Sequence, residues 1–181
     1  MYDELWLGTY NGGVAQFPVN SSAVSLLPKP KKFVASSIQS AISMVSDNDL
    51  WVGFDGDGLV RYRETESIWQ PTTFDNPFLP DVVTSLEFYK DDLWIGSLGQ
   101  GLFVMDTLGT IKEHFLAYSQ SSRGLGNSNI WSLEKTWGDS LWIGTLYGLQ
   151  FWDGAEITSP FDTPWRVGRN IMDLEFDGDL L

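Results

Sequence analysis

Few side chains in this sequence belong to the types that covalent or metal chemistry needs, and their spacing narrows what they can do. There is no cysteine, which removes thiolate metal sites, cysteine nucleophiles and disulfides. His114 is the single histidine, so any imidazole-based triad or transition-metal site has to use it. Its place between Glu113 and Phe115, in a predicted outer strand, suits a solvent-exposed ring better. Asp55-Gly56-Asp57-Gly58 alternates carboxylates as calcium loops do, without the later bidentate glutamate. The sister positions read Tyr10-Asn11-Gly12-Gly13 and Leu98-Gly99-Gln100-Gly101, so a hairpin turn accounts for all three. Asp91-Asp92 and Glu64 with Glu66 fall in predicted turns. Glycosidase-type acid pairs are defined by spatial separation, which sequence does not supply. No catalytic residue, metal ligand or cofactor is therefore assigned.

The residues better suited to a function are those for noncovalent recognition: Tyr10, Asn11, Asp55, Gln100, Arg123, Asn127, Asn129, Tyr147, Trp165, Arg166 and Arg169. Aromatic rings stack on sugar faces, while amides and guanidinium groups hydrogen-bond hydroxyls and carboxylates. Asp57, Gln39 and Asn76 share the same predicted loops.

The elements that must position these loops come from a repeat. Leu5-Trp6-Leu7-Gly8-Thr9, Leu50-Trp51-Val52-Gly53-Phe54, Leu93-Trp94-Ile95-Gly96-Ser97 and Leu141-Trp142-Ile143-Gly144-Thr145 are four copies of one motif, and their tryptophans stand 45, 43 and 48 residues apart. That spacing is that of propeller blades. A second glycine follows each copy and opens another apolar run, at Gly13, Gly58, Gly101 and Gly148, which reads as a hairpin with Gly12, Gly56 and Gly99 in its turns. Apolar segments Ala41 to Val45, Val83 to Phe88, Ile130 to Glu134 and Ile171 to Phe176 supply an innermost strand A. The Leu-Trp run is strand B, the Gly-Leu run strand C. Ser25 to Leu27, Ser67 to Pro71, Ile111 to Leu116 and Glu156 to Thr158 make an outer strand D that tolerates polar residues and proline. Asp106 and Asp153 fall in C-to-D turns.

These features predict an all-β protein: one β-propeller over residues 1–181, made of four-stranded antiparallel blades. Its four repeats form a closed four-blade ring or half of a larger one. A strand over 170–181 completes the first blade, with Ser43 in phase with Asp173. The strand-B tryptophans are expected between neighbouring blades, and the B-to-C and D-to-A loops on one face.

The run Asn129-Ile130-Trp131-Ser132-Leu133-Glu134 followed by Leu141-Trp142-Ile143-Gly144-Thr145-Leu146-Tyr147-Gly148-Leu149 resembles the two-component regulator propeller repeat. The resemblance covers nearly the whole chain, least so over Val14 to Ile38, and Leu181 stands where tryptophan is expected. It implies a periplasmic or extracytoplasmic sensor domain of a bacterial signalling protein, often one that responds to carbohydrate.

The formal net charge of -13 repels phosphate backbones and excludes nucleic acid as a partner. No run of eighteen apolar residues marks a membrane segment. The expected function is non-enzymatic binding of a small polar ligand, with carbohydrate as one class. Two alternatives stand beside it: a protein-interaction scaffold that includes a homodimer, and a propeller-type lyase or glycosidase.

Overall fold

The computed structural model describes residues 4–9, 13–18, 24–31, 38–117, 124–136, 140–160 and 170–176. The fold is of the β-propeller class, an all-β array of four antiparallel sheets, with no helix among the described residues. The chain divides into two compact units, Met1–Val83 and Thr84–Leu181.

Unit 1 holds the first two sheets. β1 (Glu4–Thr9), β2 (Gly13–Pro18) and β3 (Ser25–Leu26) form a three-stranded meander, and β4 (Ile38–Ser46), β5 (Asp49–Asp55), β6 (Gly58–Thr65) and β7 (Ile68–Thr73) a four-stranded one. β5 is buried on both faces from Leu50 to Phe54, which is why it reads as a continuous apolar run rather than an alternating one. Leu50, Val52, Phe54, Val60, Tyr62 and Trp69 of the second sheet share one core with Val14 and Leu27 of the first. Trp6 enters it edge-on to Trp69, ring centroids 5.3 Å apart. Arg61 is a buried cation: its Nε donates to Asp49 Oδ1 at 2.7 Å and its guanidinium lies 4.8 Å over the Trp51 ring.

Unit 2 repeats the plan. β8 (Val83–Tyr89, whose first residue ends unit 1), β9 (Asp92–Ser97), β10 (Leu102–Met105) and β11 (Ile111–Phe115) form the third sheet, and β12 (Ile130–Lys135), β13 (Leu141–Thr145), β14 (Gly148–Trp152) and β15 (Ile157–Thr158) the fourth. Trp94, Leu102 and Val104 of the third sheet pack with Leu133, Leu141, Ile143 and Ile157 of the fourth. Trp94 stacks on Phe115 and meets Trp152 at 5.5 Å. The expected placement of strand-B tryptophans between sheets thus holds for Trp6 and Trp94. Two-residue turns close some hairpins, with Glu66-Ser67 at φ 53° and 63° and Lys90-Asp91 at φ 49° and 66°, the left-handed pair that matches strand twist. Asp91 and Glu66 are turn residues as predicted, whereas Glu64 lies within β6, paired with Trp69, and Asp92 opens β9.

Trp and Gly two residues apart on a strand face the same way, and the glycine has a packing reason. A Cβ at Gly53 would stand 2.8 Å from Val83 Cβ, one at Gly96 2.7 Å from Ile130 Cγ2, and one at Gly144 2.8 Å from Ile171 Cγ2. Each glycine is a seat for a β-branched side chain that begins the following strand-A segment. On the same blade the opposing strand-A residue is also small. Ala41 pairs with Gly53 and Ser132 with Gly144, and Ser85 Oγ abuts the seat at Gly96.

Two features differ from the sequence expectation. Ser43 pairs with Trp51, the place that Glu134 takes opposite Trp142, so the phase of β4 is shifted by two residues. The cause is the short turn at Asp47-Asn48, against the longer connection between β12 and β13. The strand expected over 170–181 is described only to residue 176, and that part carries no assigned strand. Ile171 nevertheless donates its amide to the Thr145 carbonyl at 3.1 Å and occupies the Gly144 seat.

Asp106 and Asp153 stand in the C-to-D turns as predicted. Asp106 Oδ1 accepts from the amides of Leu108 and Thr110, and Asp153 Oδ1 from those of Ala155 and Glu156. These backbone hydrogen bonds hold both carboxyls below the usual carboxylate range. A depressed folded-state pKa contributes stability above the unfolded value, near 3.9, and loses it as pH falls through the folded one.

Two predictions follow from this packing. Gly96→Ala lowers stability by about 1–3 kcal/mol in denaturant melts. Ser85→Ala raises it by about 1 kcal/mol, because the buried Ser85 hydroxyl has no hydrogen-bond partner and its removal ends a desolvation cost. Asp106→Asn with Asp153→Asn keeps both turns but flattens the fall in melting temperature below about pH 4. An acid limb as steep as that of the unsubstituted chain contradicts the assignment.

Candidate functional site

The loops that the sequence singles out are held by main-chain geometry. In unit 2 the connection leading into β12 lies between two hairpin turns: Gly101 N donates to Ser128 O at 3.0 Å, and Leu146 N donates to Asn129 O at 3.1 Å. Residues 128 and 129 therefore tie the β9–β10 turn to the β13–β14 turn. This brings Gln100, Asn127, Asn129 and Tyr147 to one end of the unit. Asn129 Oδ1 lies 3.9 Å from where a Cβ on Gly99 would stand.

The same connection is anchored from beneath. Gln150, buried on β14, donates through Nε2 to Gly124 O at 3.0 Å and accepts from Gly126 N at 2.7 Å. Gly124 N donates to Ile157 O, and Leu125 sits in the core. Neither anchor is visible as a motif, because a glutamine in a strand carries no sequence signal for the loop it clamps.

Much of the polarity in the cluster is spent on shape. Asn127 Oδ1 accepts from Asn129 N at 2.8 Å, and Ser128 Oγ accepts from Ala117 N at 3.0 Å. The Gln100 carbonyl lies 2.7 Å from His114 Nε2. His114 is exposed, as expected, with its ring stacked 3.9 Å from Phe103. Its role is to brace the turn. Tyr147 differs: its amide donates to Thr145 Oγ1 at 3.2 Å, while its side chain leaves the residue 52% exposed. The cluster presents a phenol ring and side-chain amides on a backbone fixed by hydrogen bonds, a set that stacks and hydrogen-bonds.

In unit 1 Asp55 is exposed at the β5–β6 turn, where the Gly56 and Gly58 amides both donate to Asp81 O at 3.0 and 2.9 Å. The turn is thus pinned to the loop after β7. That loop exposes Phe78 to 75%, its amide donating to Asn76 Oδ1. Phe78 belongs to no repeat motif and to none of the expected ligand-binding residues. Its only signal is an aromatic between Pro77 and Pro80 in a polar loop. Among the described residues no three His, Asp or Glu side chains form a group fit to hold a metal. Tyr10, Asn11, Arg123, Trp165, Arg166 and Arg169 lie outside the described residues, as does the side chain of Gln39.

No family model matches the sequence, and no curated protein matches it. Solved structures do resemble it. The extracellular domain of BT3049 from B. thetaiotaomicron, described as a hybrid two-component system, superposes with a TM-score of 0.69 at 16% identity over 87% of this chain and 22% of that one. The extracellular domain of BT4673 from the same organism, described likewise, gives 0.65 at 20% identity over 82% of this chain and 18% of that one. The computationally designed protein Ika8 gives 0.63 at 15% identity over 98% of this chain and 51% of that one. At these identities the likeness is one of fold, and the chain spans about a fifth of the length of the two extracellular domains.

Gln150→Ala removes both hydrogen bonds that clamp the 124–126 loop. It is expected to cost about 1–3 kcal/mol and to speed amide exchange at Gly126. Unchanged protection at Gly126 by hydrogen–deuterium exchange contradicts the clamp.

Proposed function

We propose that the chain is a non-enzymatic recognition segment of an extracytoplasmic sensor propeller, and that it binds a small polar ligand, with carbohydrate the favoured class, at the loop end of unit 2. The observation that carries this reading is the cluster of Gln100, Asn129 and Tyr147 on loops fixed by main-chain hydrogen bonds. Preorganised loops of this kind bind at a reduced ordering cost. The sensor context rests on the folds of BT3049 and BT4673 and on the repeat that this sequence resembles.

Catalysis forms no part of the reading. Glu134 is the carboxyl held above its usual range, by burial first and then by the neighbouring Glu87. Glu87 is itself paired with Lys135 at 2.8 Å, and both glutamates sit toward the A-to-B end of their strands, opposite the loop cluster.

A thermal-shift screen of oligosaccharides and small polar metabolites tests the proposal. A true ligand raises the melting temperature in a saturable way, by about 2.7 kcal/mol of stability at a hundredfold excess over Kd. Tyr147→Ala abolishes that rise and leaves the ligand-free melting temperature in place. A panel in which no member stabilises the chain overturns the reading.

A further inference from the structure

The two faces of the first sheet differ. Residues directly opposite on antiparallel strands share a face, so Trp6, Val14 and Leu27 lie on the side packed into the unit 1 core. The pairs Leu5 with Phe17, Leu7 with Ala15, and Ala15 with Leu26 make up the other side. Leu5, Leu7 and Leu26 are 54%, 40% and 65% exposed. Their counterparts elsewhere are covered: Leu50 and Val52 are fully buried against the first sheet, and Leu141 and Ile143 against the third. In both junctions the covering face is the one that carries a strand-B tryptophan, Trp6 or Trp94.

The chain also carries a tryptophan face that is only half-buried. On the fourth sheet Trp142 pairs across strands with Phe151, ring centroids 5.4 Å apart, and both stay partly exposed. We propose that two copies of this chain dock reciprocally, the exposed first-sheet face of each receiving the Trp142–Phe151 face of the other, continuing between molecules the interface the chain uses between its own sheets. A contiguous apolar surface rimmed by polar residues marks such a contact, and the docking pair has the chemistry of the Trp6 and Trp94 junctions. The inference stands apart from the proposed ligand, because it concerns sheet faces and not loops.

Light scattering on the intact chain tests it directly. A mass twice the 20.3 kDa of one chain is expected, falling to a single chain in Leu5→Asp/Leu7→Asp with the far-ultraviolet β spectrum retained. Leu26→Asp, on a two-residue edge strand, gives the same loss should the double variant unfold. Leu108→Asp, at a turn residue 85% exposed, keeps the doubled mass. A single-chain mass for the unsubstituted protein, a larger assembly, or a doubled mass that survives both the leucine variants overturns the proposal.

Discussion

A side chain seated on a glycine is the contact on which this fold depends. In Leu-Trp-x-Gly the indole and the glycine look out from one face of strand B. The glycine leaves a hollow into which Val83, Ile130 or Ile171 settles, and the indole of Trp94 covers apolar area in the same core as Ile130. The alternative residue at that position, alanine, would need space that backbone-fixed β-branched groups do not yield. The motif is therefore a docking device before it is a strand signal. Its spacing of more than forty residues follows from the four short strands needed before the next seat.

The same contact explains which parts of the structure were legible in the sequence. Strands B and C carry the glycines and the indole, so their limits were readable to within a residue or two. Strand D followed from its position. Apolar periodicity places strand A of the second sheet but not its register, which is set by the length of the turn at Asp47-Asn48. Arg61 was invisible as a buried residue: only the folded pairing opposite Trp51 brings it between an indole and the Asp49 carboxylate.

The loop cluster was legible in kind and not in detail. Polar residues in B-to-C and D-to-A connections could be named from spacing alone, and Gln100, Asn127, Asn129 and Tyr147 do gather at one end of unit 2. What the sequence could not show is how much of their polarity the backbone consumes. The Asn127 carboxamide oxygen shapes its own turn, and the Gln100 carbonyl faces His114. Tyr147 retains an open side chain. Phe78 is open for another reason: prolines on either side leave the ring no sheet to join.

The outer strands bear on how such sheets remain separate in a crowded solution. An unpaired strand margin is a template on which foreign backbone can crystallise into fibrils. Here β3 and β15 are two residues long, β7 is interrupted by Pro71, and β11 turns Lys112, Glu113 and His114 to solvent. Each outer margin is too short, lacks a donor or carries charge, so lateral growth of one sheet onto another molecule's is refused at the rim.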